Sequence, residues 1–172
     1  MTLCNDIEVK FNPKSLGFIP FSFWNDEEVT FGYLVENYFR KKNNPNCHFF
    51  MKLYNALLIT TDDPFYAEFL GVEWITDSIL RIDKYVFSRL FGLKQPDSSL
   101  FHSHGFFSTY GFAEVSPNEA ASLAPQIDLS EIDFDNVRLL IHKDKIFTKS
   151  CSCDNLFEYM QKFNAFVGIK CL

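Results

Sequence analysis

Apolar positions recur along this chain at helical and strand-like spacings, and glycines and prolines cut the pattern into short elements. Up to about residue 38, apolar and polar residues alternate irregularly, with Pro13, Gly17 and Pro20 breaking any long element. Apolar residues at 31, 34, 35, 38 and 39 follow the i, i+3, i+4 rule, which predicts a helix over 30–39. Arg40, Lys41 and Lys42 come next, cations suited to a helix C-terminus, and then the loop 43–46. A second helix is predicted over about 47–60, with Phe50, Leu53, Tyr54, Leu57 and Leu58 on its core-facing stripe. Asp62-Asp63-Pro64 stops it, and Pro64 opens a short helical turn to Leu70 before Gly71 breaks again. Strands are predicted at 72–75 and 79–82 around a Thr76-Asp77-Ser78 turn. Asp83 reads as the N-cap of a helix over 84–91, which Gly92 ends.

Lys94-Gln95-Pro96-Asp97 makes a turn, and another helix is predicted over 98–108. Two helices thus meet across a short Gly- and Pro-containing turn, the outline of a helix-turn-helix. Beyond it, 109–115 is strand-like, and an acidic connection runs to Asn136 with a capping-box pattern at Ser116-Pro117-Asn118-Glu119. Residues 137–142 read as a strand. Residues 155–167 read as an amphipathic helix with Leu156, Tyr159, Met160, Phe163 and Phe166 on one side. The order is that of a winged helix. The predicted fold is α+β: a winged-helix domain over 40–150, an N-terminal extension over 1–39, and a C-terminal amphipathic helix within 151–172.

Composition narrows the class. With 172 residues, 21 Phe and 17% aromatics, the chain suits one compact domain and not a disordered one. No apolar stretch approaches the ~20 residues of a membrane span. Asp6 and Glu8 stand where a secretory leader would be basic and then apolar, so no leader is expected. The net charge of −6 speaks against nucleic acid when taken whole. Resolved by position it divides: 40–94 hold eight basic and six acidic residues, a balance of +2 against −8 elsewhere. From Glu114 to Asp135 there are six acids and no base.

Cysteines stand at 4, 47, 151, 153 and 171, and Cys151-Ser152-Cys153 has the wrong loop for a zinc knuckle. Reduced thiols without a metal are expected. A Gly-rich phosphate loop, an HExxH pair and a nucleophile elbow are all missing. The adjacent carboxylates Glu27/Glu28 and Asp62/Asp63 read as surface or cap residues. No catalytic residue, cofactor or small-molecule substrate is expected, and the chain is not expected to be an enzyme.

The run 48–93, above all the Lys52–Leu58 stretch (KLYNALL), the Gly71–Asp77 stretch (GVEWITD) and the Lys84–Lys94 helix closed by Gly-Leu-Lys, resembles the initiator-binding domain family. A basic, Asn/Pro-containing segment at 40–46 adds to the likeness, which covers roughly 40–110. Its most specific piece centres on Trp74. A looser similarity, marked by Tyr110-Gly111-Phe112, is to heat-shock-factor DNA-binding domains. The resemblance implies a winged helix acting in the nucleus as a sequence-specific transcription factor on double-stranded promoter initiator DNA. Transcription-machinery proteins are further expected partners; a membrane is not.

On that reading helix 98–108 enters the major groove, with Ser98, Ser99, His102 and Ser103 reading bases. Arg40, Lys41, Lys42, Lys52, Lys84, Arg89 and Lys94 are the phosphate contacts, which position a duplex without reading it. Both families carry an Arg in that helix, whereas 97–109 here has no Arg or Lys. This leaves an alternative, a winged-helix interaction module in a transcription complex that has lost base readout. His104 is expected to be partly buried on the side of Leu100 and Phe107, Trp74 to be core, and Tyr110 and Phe112 to be structural.

Overall fold

The computed structural model describes the backbone of residues 8–43 and 48–167, and side chains as far as Gln161. Residues 1–7, 44–47 and 168–172 lie outside the described residues, and with them Cys4, Cys47, Cys171 and most of the loop 43–46; so do the side chains of Phe163 and Phe166.

Two short strands, β1 (Lys10–Phe11) and β2 (Val29–Thr30), pair antiparallel. Between them lies α1 (Pro13–Leu16), capped by the Asn12 side chain. Thr30 caps α2 (Phe31–Leu34), which continues to Phe39 with wider π-type hydrogen bonding. The long helix α3 (Phe49–Asp62) follows, then a 3₁₀ turn (Pro64–Tyr66) and α4 (Ala67–Leu70). Strands β3 (Val72–Trp74) and β4 (Ile79–Asp83) form the expected hairpin, with Thr76 Oγ1 accepting from the Ser78 and Ile79 amides in its turn. Asp83 caps α5 (Lys84–Leu90) by accepting from the Val86 amide at 3.1 Å. A π-type turn (Asp97–Phe101), α6 (Phe106–Thr109), β5 (Phe112–Glu114), α7 (Pro117–Leu123), β6 (Val137–His142) and α8 (Cys153–Val167) complete the order. The fold class is α+β, and the larger sheet is antiparallel in the order β3-β4-β6-β5.

Gly71 shows why the hairpin can sit where it does. It adopts φ +71°, and a Cβ there would lie 2.5 Å from the Phe87 amide nitrogen, so α5 packs directly on its backbone.

Both faces of the sheet are covered. Leu80, Ile82, Leu140 and Phe112 face the main core, where they meet Phe50, Leu53 and Leu57 of α3. Ile79, Val137 and Leu139 face a second cluster under the acidic connection, together with Val115, Ala120 and Ala124. Burial on both sides accounts for the near-continuous apolar runs of β4 and β6. The connection 115–136 is therefore folded onto the sheet, with Ile127, Leu129, Ile132 and Phe134 inward and Asp128, Glu131, Asp133 and Asp135 exposed.

One expected element is not continuous. The helix over 98–108 is interrupted at His102 (φ −63°, ψ 157°) and Gly105 (φ −75°, ψ 172°), both extended. An uninterrupted helix would set Phe101 and Phe107 roughly 120° apart around its axis. The break instead lets their rings stack at 5.5 Å. Gly105 permits it, because a Cβ there would come 2.7 Å from the Leu100 carbonyl. His104 is consequently exposed and not partly buried. Tyr110 and Phe112 are buried as expected, while Trp74 is half-buried and stacks on Phe147 at 5.7 Å.

Two buried polar groups tie the elements together. Asn55, fully buried on α3, accepts from the Ile19 amide (2.8 Å) and donates to the Ile19 carbonyl (2.9 Å) and the Tyr38 hydroxyl (2.7 Å). All three of its hydrogen-bonding atoms, one oxygen and two N–H groups, are engaged. His48 caps α3 through Nδ1, which accepts from the Phe50 amide, so Nε2–H donates to the Tyr110 hydroxyl at 2.9 Å. Burial, with a smaller push from Lys52, lowers the His48 pKa to about 4.

Asn55→Leu strands both Ile19 backbone groups inside the core, and a loss of about 3 kcal/mol is expected in urea unfolding. A change below about 0.5 kcal/mol would show that the contact contributes little. For His48, the unfolded state binds the proton near pH 6.5 and the folded state only near 4, so stability rises with pH across that window. The wild type should lose up to about 3 kcal/mol more than His48→Asn on going from pH 7 to 4. Parallel pH profiles for the two chains would contradict this.

Candidate nucleic-acid interface

The expected phosphate contacts divide by burial. Arg40, at the end of the π-type segment, turns across Gly92: a Cβ on that glycine would come 3.2 Å from the Arg40 Cγ. Its Nε donates to the Arg89 carbonyl at the end of α5 (3.1 Å), and a terminal nitrogen pairs with Glu36 at 2.9 Å. A cation at the carbonyl end of a helix is favourably placed against its dipole. Lys41, Lys42, Arg89 and Lys94 are exposed. The Arg40–Arg89 and Arg40–Gly92 contacts bring the 40–42 segment to the C-terminal end of α5, where Lys94 follows in the turn. Five exposed cations thus border one place.

Lys52 and Lys84 are different. Lys52 is 1% exposed, and its ammonium donates to the Lys41 carbonyl and to Asn43 Oδ1 (3.0 Å) beside the Phe91 ring. It holds the backbone of 41–43 against α3, which leaves the Lys41 and Lys42 side chains outside. Lys84, also buried, pairs with Asp97 at 3.1 Å and so closes the turn between α5 and the 97–101 segment.

The expected base-reading residues lie on the interrupted segment. Ser98, His102 and Ser103 are exposed and Ser99 is half-buried. The Ser98 hydroxyl donates to the Gln95 carbonyl at 3.2 Å. His102 Nδ1 accepts from the His104 amide at 3.2 Å. With Nδ1 accepting, Nε2–H is left as the donor, so this side chain is an oriented donor. The break also brings the His102 and His104 rings to 5.5 Å, where an unbroken helix would have turned them apart. The segment therefore offers hydroxyl and imidazole hydrogen-bonding groups, next to a cationic rim but without an Arg or Lys of its own.

Packing fixes this segment from behind. Phe106 stacks on Phe49 at 4.7 Å, Phe107 meets Phe87, and the Tyr110 hydroxyl receives the His48 bond; burial raises the tyrosine pKa to about 12. His142 Nε2 donates to the Tyr110 carbonyl at 3.1 Å, and burial lowers the pKa of this imidazole as well. Arg138 pairs with Glu114 at 3.2 Å, donates to the Phe134 and Asp135 carbonyls, and lies over the Phe101 ring. It joins the acidic connection to the 97–101 turn.

Three further exposed cations escaped the sequence reading. Lys143, Lys145 and Lys149 are exposed on the connection after β6, anchored by bonds from the Lys143 amide to the Gly111 carbonyl and from the Lys149 amide to the Asp77 carbonyl. Their signal was three lysines within 143–149. Among the described residues, no cluster of three His, Cys, Asp or Glu side chains could hold a metal. Cys151 and Cys153 are free thiols. No helix of the described residues is long and apolar enough to cross a membrane.

Comparison with known proteins follows the same line. No curated protein matches. Among solved structures, the T. vaginalis IBP39 initiator-binding domain bound to the alpha-SCS Inr element aligns at 18% identity. That alignment covers 66% of this chain and 82% of the other, with a TM-score of 0.43. The family model for the transcription-initiator DNA-binding domain, IBD, matches residues 22–139, more than half of the chain and every residue of the interface just described from Arg40 to Arg138. The chain belongs to the transcription-initiator DNA-binding domain family.

Proposed function

We propose that this chain is a sequence-specific transcription factor of the initiator-binding type that holds double-stranded promoter DNA in the nucleus. The observation that carries the proposal is the family match over 22–139, which takes in both the cationic rim and the segment 97–109. On this reading the arrangement is a winged helix, and the interrupted segment 97–109 enters the major groove in place of a continuous recognition helix. Arg40, Lys41, Lys42, Arg89 and Lys94 meet phosphates. Lys52 and Lys84 act behind them by fixing the 41–43 backbone and the 97–101 turn. Ser98, Ser99, His102 and Ser103 contact base edges, and the oriented Nε2–H of His102 suits an acceptor such as guanine O6 or N7.

The alternative is an interaction module in a transcription complex that lacks base readout, favoured by the absence of Arg and Lys from 97–109. Salt separates the two. Each cation on a phosphate adds ~0.9 to the slope of log affinity against log salt, so five give about −4.5. Between 50 and 200 mM salt the affinity for an initiator duplex should fall about 500-fold. Arg40→Ala/Lys41→Ala/Lys42→Ala should make that slope shallower by about 2.7. Absence of binding at low salt, or an unchanged slope in the triple variant, overturns the DNA reading. For base readout, His102→Gln keeps a donor at the Nε2 position and should retain discrimination against a scrambled duplex. His102→Ala should lose about 1–3 kcal/mol of it; equal discrimination by the two variants would remove His102 from the reading set.

A further inference from the structure

The 97–101 turn carries Ser98 and Ser99, leads directly into His102, and is fastened at both ends by cations that are not exposed. At its start Asp97 pairs with buried Lys84 at 3.1 Å. At its end the Arg138 guanidinium lies over the Phe101 ring, 5.8 Å from the centroid and inside the ~6 Å reach of a cation–π contact. Between them the His102 amide donates to the Asp97 carbonyl at 2.8 Å. The far side of Phe101 is held as well, since its ring stacks on Phe107, which packs on Phe87.

Both fasteners are anchored by one stretch of chain. The Asp133 carboxylate accepts from the Asp135 amide and from the Asn136 side chain, which folds 133–136 tightly ahead of β6. The Asn136 carbonyl then accepts from the Lys84 amide at 2.8 Å. Two residues on, a terminal nitrogen of Arg138 donates to the Phe134 and Asp135 carbonyls, and Nε pairs with Glu114 of β5 at 3.2 Å. Three oxygens thus fix the plane of the guanidinium, an alignment that a lysine ammonium could not supply. The charge of Arg138 is matched by Glu114 and its side chain is only 25% exposed, which sets it apart from the cations of the rim.

We propose that Arg138 is a positioning residue for base reading. By fixing Phe101 it fixes the backbone from which His102 projects, and the acidic connection contributes to readout without touching a duplex. The clamp is static and already complete in the chain without DNA. The proposal rests on the DNA reading given above.

The test uses the full chain and the tightest duplex that the wild type selects from a randomised pool, set against a shuffled duplex of the same composition. The ratio of the two affinities is the readout. A loss of folded chain lowers both affinities alike and leaves the ratio unchanged, so the ratio separates positioning from stability. Arg138→Leu and Phe101→Leu should each lower it about fivefold. The double variant should lower it no further, because both changes open the same contact. Glu114→Ala, a change at an exposed position, should lower it about threefold and keeps the test usable if Arg138→Leu does not fold. In the chain without DNA, Arg138→Leu should shift the amide resonances of 101–104 and leave those of 40–42 in place. Equal ratios in wild type and variants, or unmoved 101–104 resonances, overturn the proposal. A salt slope made shallower by ~0.9 in Arg138→Leu also overturns it, since Arg138 would then be a phosphate contact. A wild type that selects no duplex overturns the DNA reading itself and the proposal with it, a result told apart by the wild type alone.

Discussion

Asn55 has no neutral way of being wrong. Buried among Phe, Leu and Ile side chains, it satisfies both backbone groups of Ile19 and the Tyr38 hydroxyl at once. An unmade hydrogen bond at such depth costs more than a made one gains, so this amide selects one docking of residues 8–39 on α3. Much follows from that docking. It seats Trp24 and Tyr38 in the core and sets the exit of the π-type segment at Arg40. It thereby delivers Arg40, Lys41 and Lys42 to the end of α5. Phe18, Ile19, Trp24, Phe31 and Leu34 are part of the main core, as is Leu156 of α8.

The same logic explains how an acidic protein carries a cationic rim. Buried Lys52 and Lys84 act as internal fasteners, each holding an oxygen whose position matters: the Lys41 carbonyl and the Asp97 carboxylate. The surface cations then gather around Gly92 while the carboxylates of 128–135 face out from the second cluster, beyond β6. Interactions between exposed charges are screened out over ~8 Å at physiological salt, so a ligand feels the charges near it and not the net charge. What matters for a duplex is the set of five exposed cations at the rim, Arg40, Lys41, Lys42, Arg89 and Lys94, not the overall −6.

Much of this was legible in the residues. Caps at Asp83 and Ser116, breaks at Gly71 and Gly92, and the apolar runs of β4 and β6 marked most elements to within a few residues. The Gly71–Asp77 stretch pointed to the family that the match over 22–139 then established. Other features needed three dimensions. Lys52 and Lys84 look like Lys41 and Lys42 in sequence, because burial of an ammonium depends on carbonyl and carboxylate oxygens brought from other elements. The apolar pattern of 98–108 fits a helix, and only the pull of Phe49 and Phe87 on the aromatic rings of 101–107 favours the break at Gly105. The sequence showed 116–136 only as an acidic connection, because its inward residues Ile127, Leu129, Ile132 and Phe134 form two i, i+2 pairs out of step with each other and sustain neither a strand nor a helix pattern.

We propose that one face, made from the 40–43 and 89–95 segments with the interrupted 97–109 segment, meets DNA while the acidic connection does not. Amide chemical-shift mapping of the ¹⁵N-labelled chain during titration with an initiator duplex tests it most directly. The account predicts that shifts concentrate at 40–43, 89–95 and 98–104, with 116–135 unmoved. Shifts centred on 116–135, or an unmoved 98–104, would contradict it.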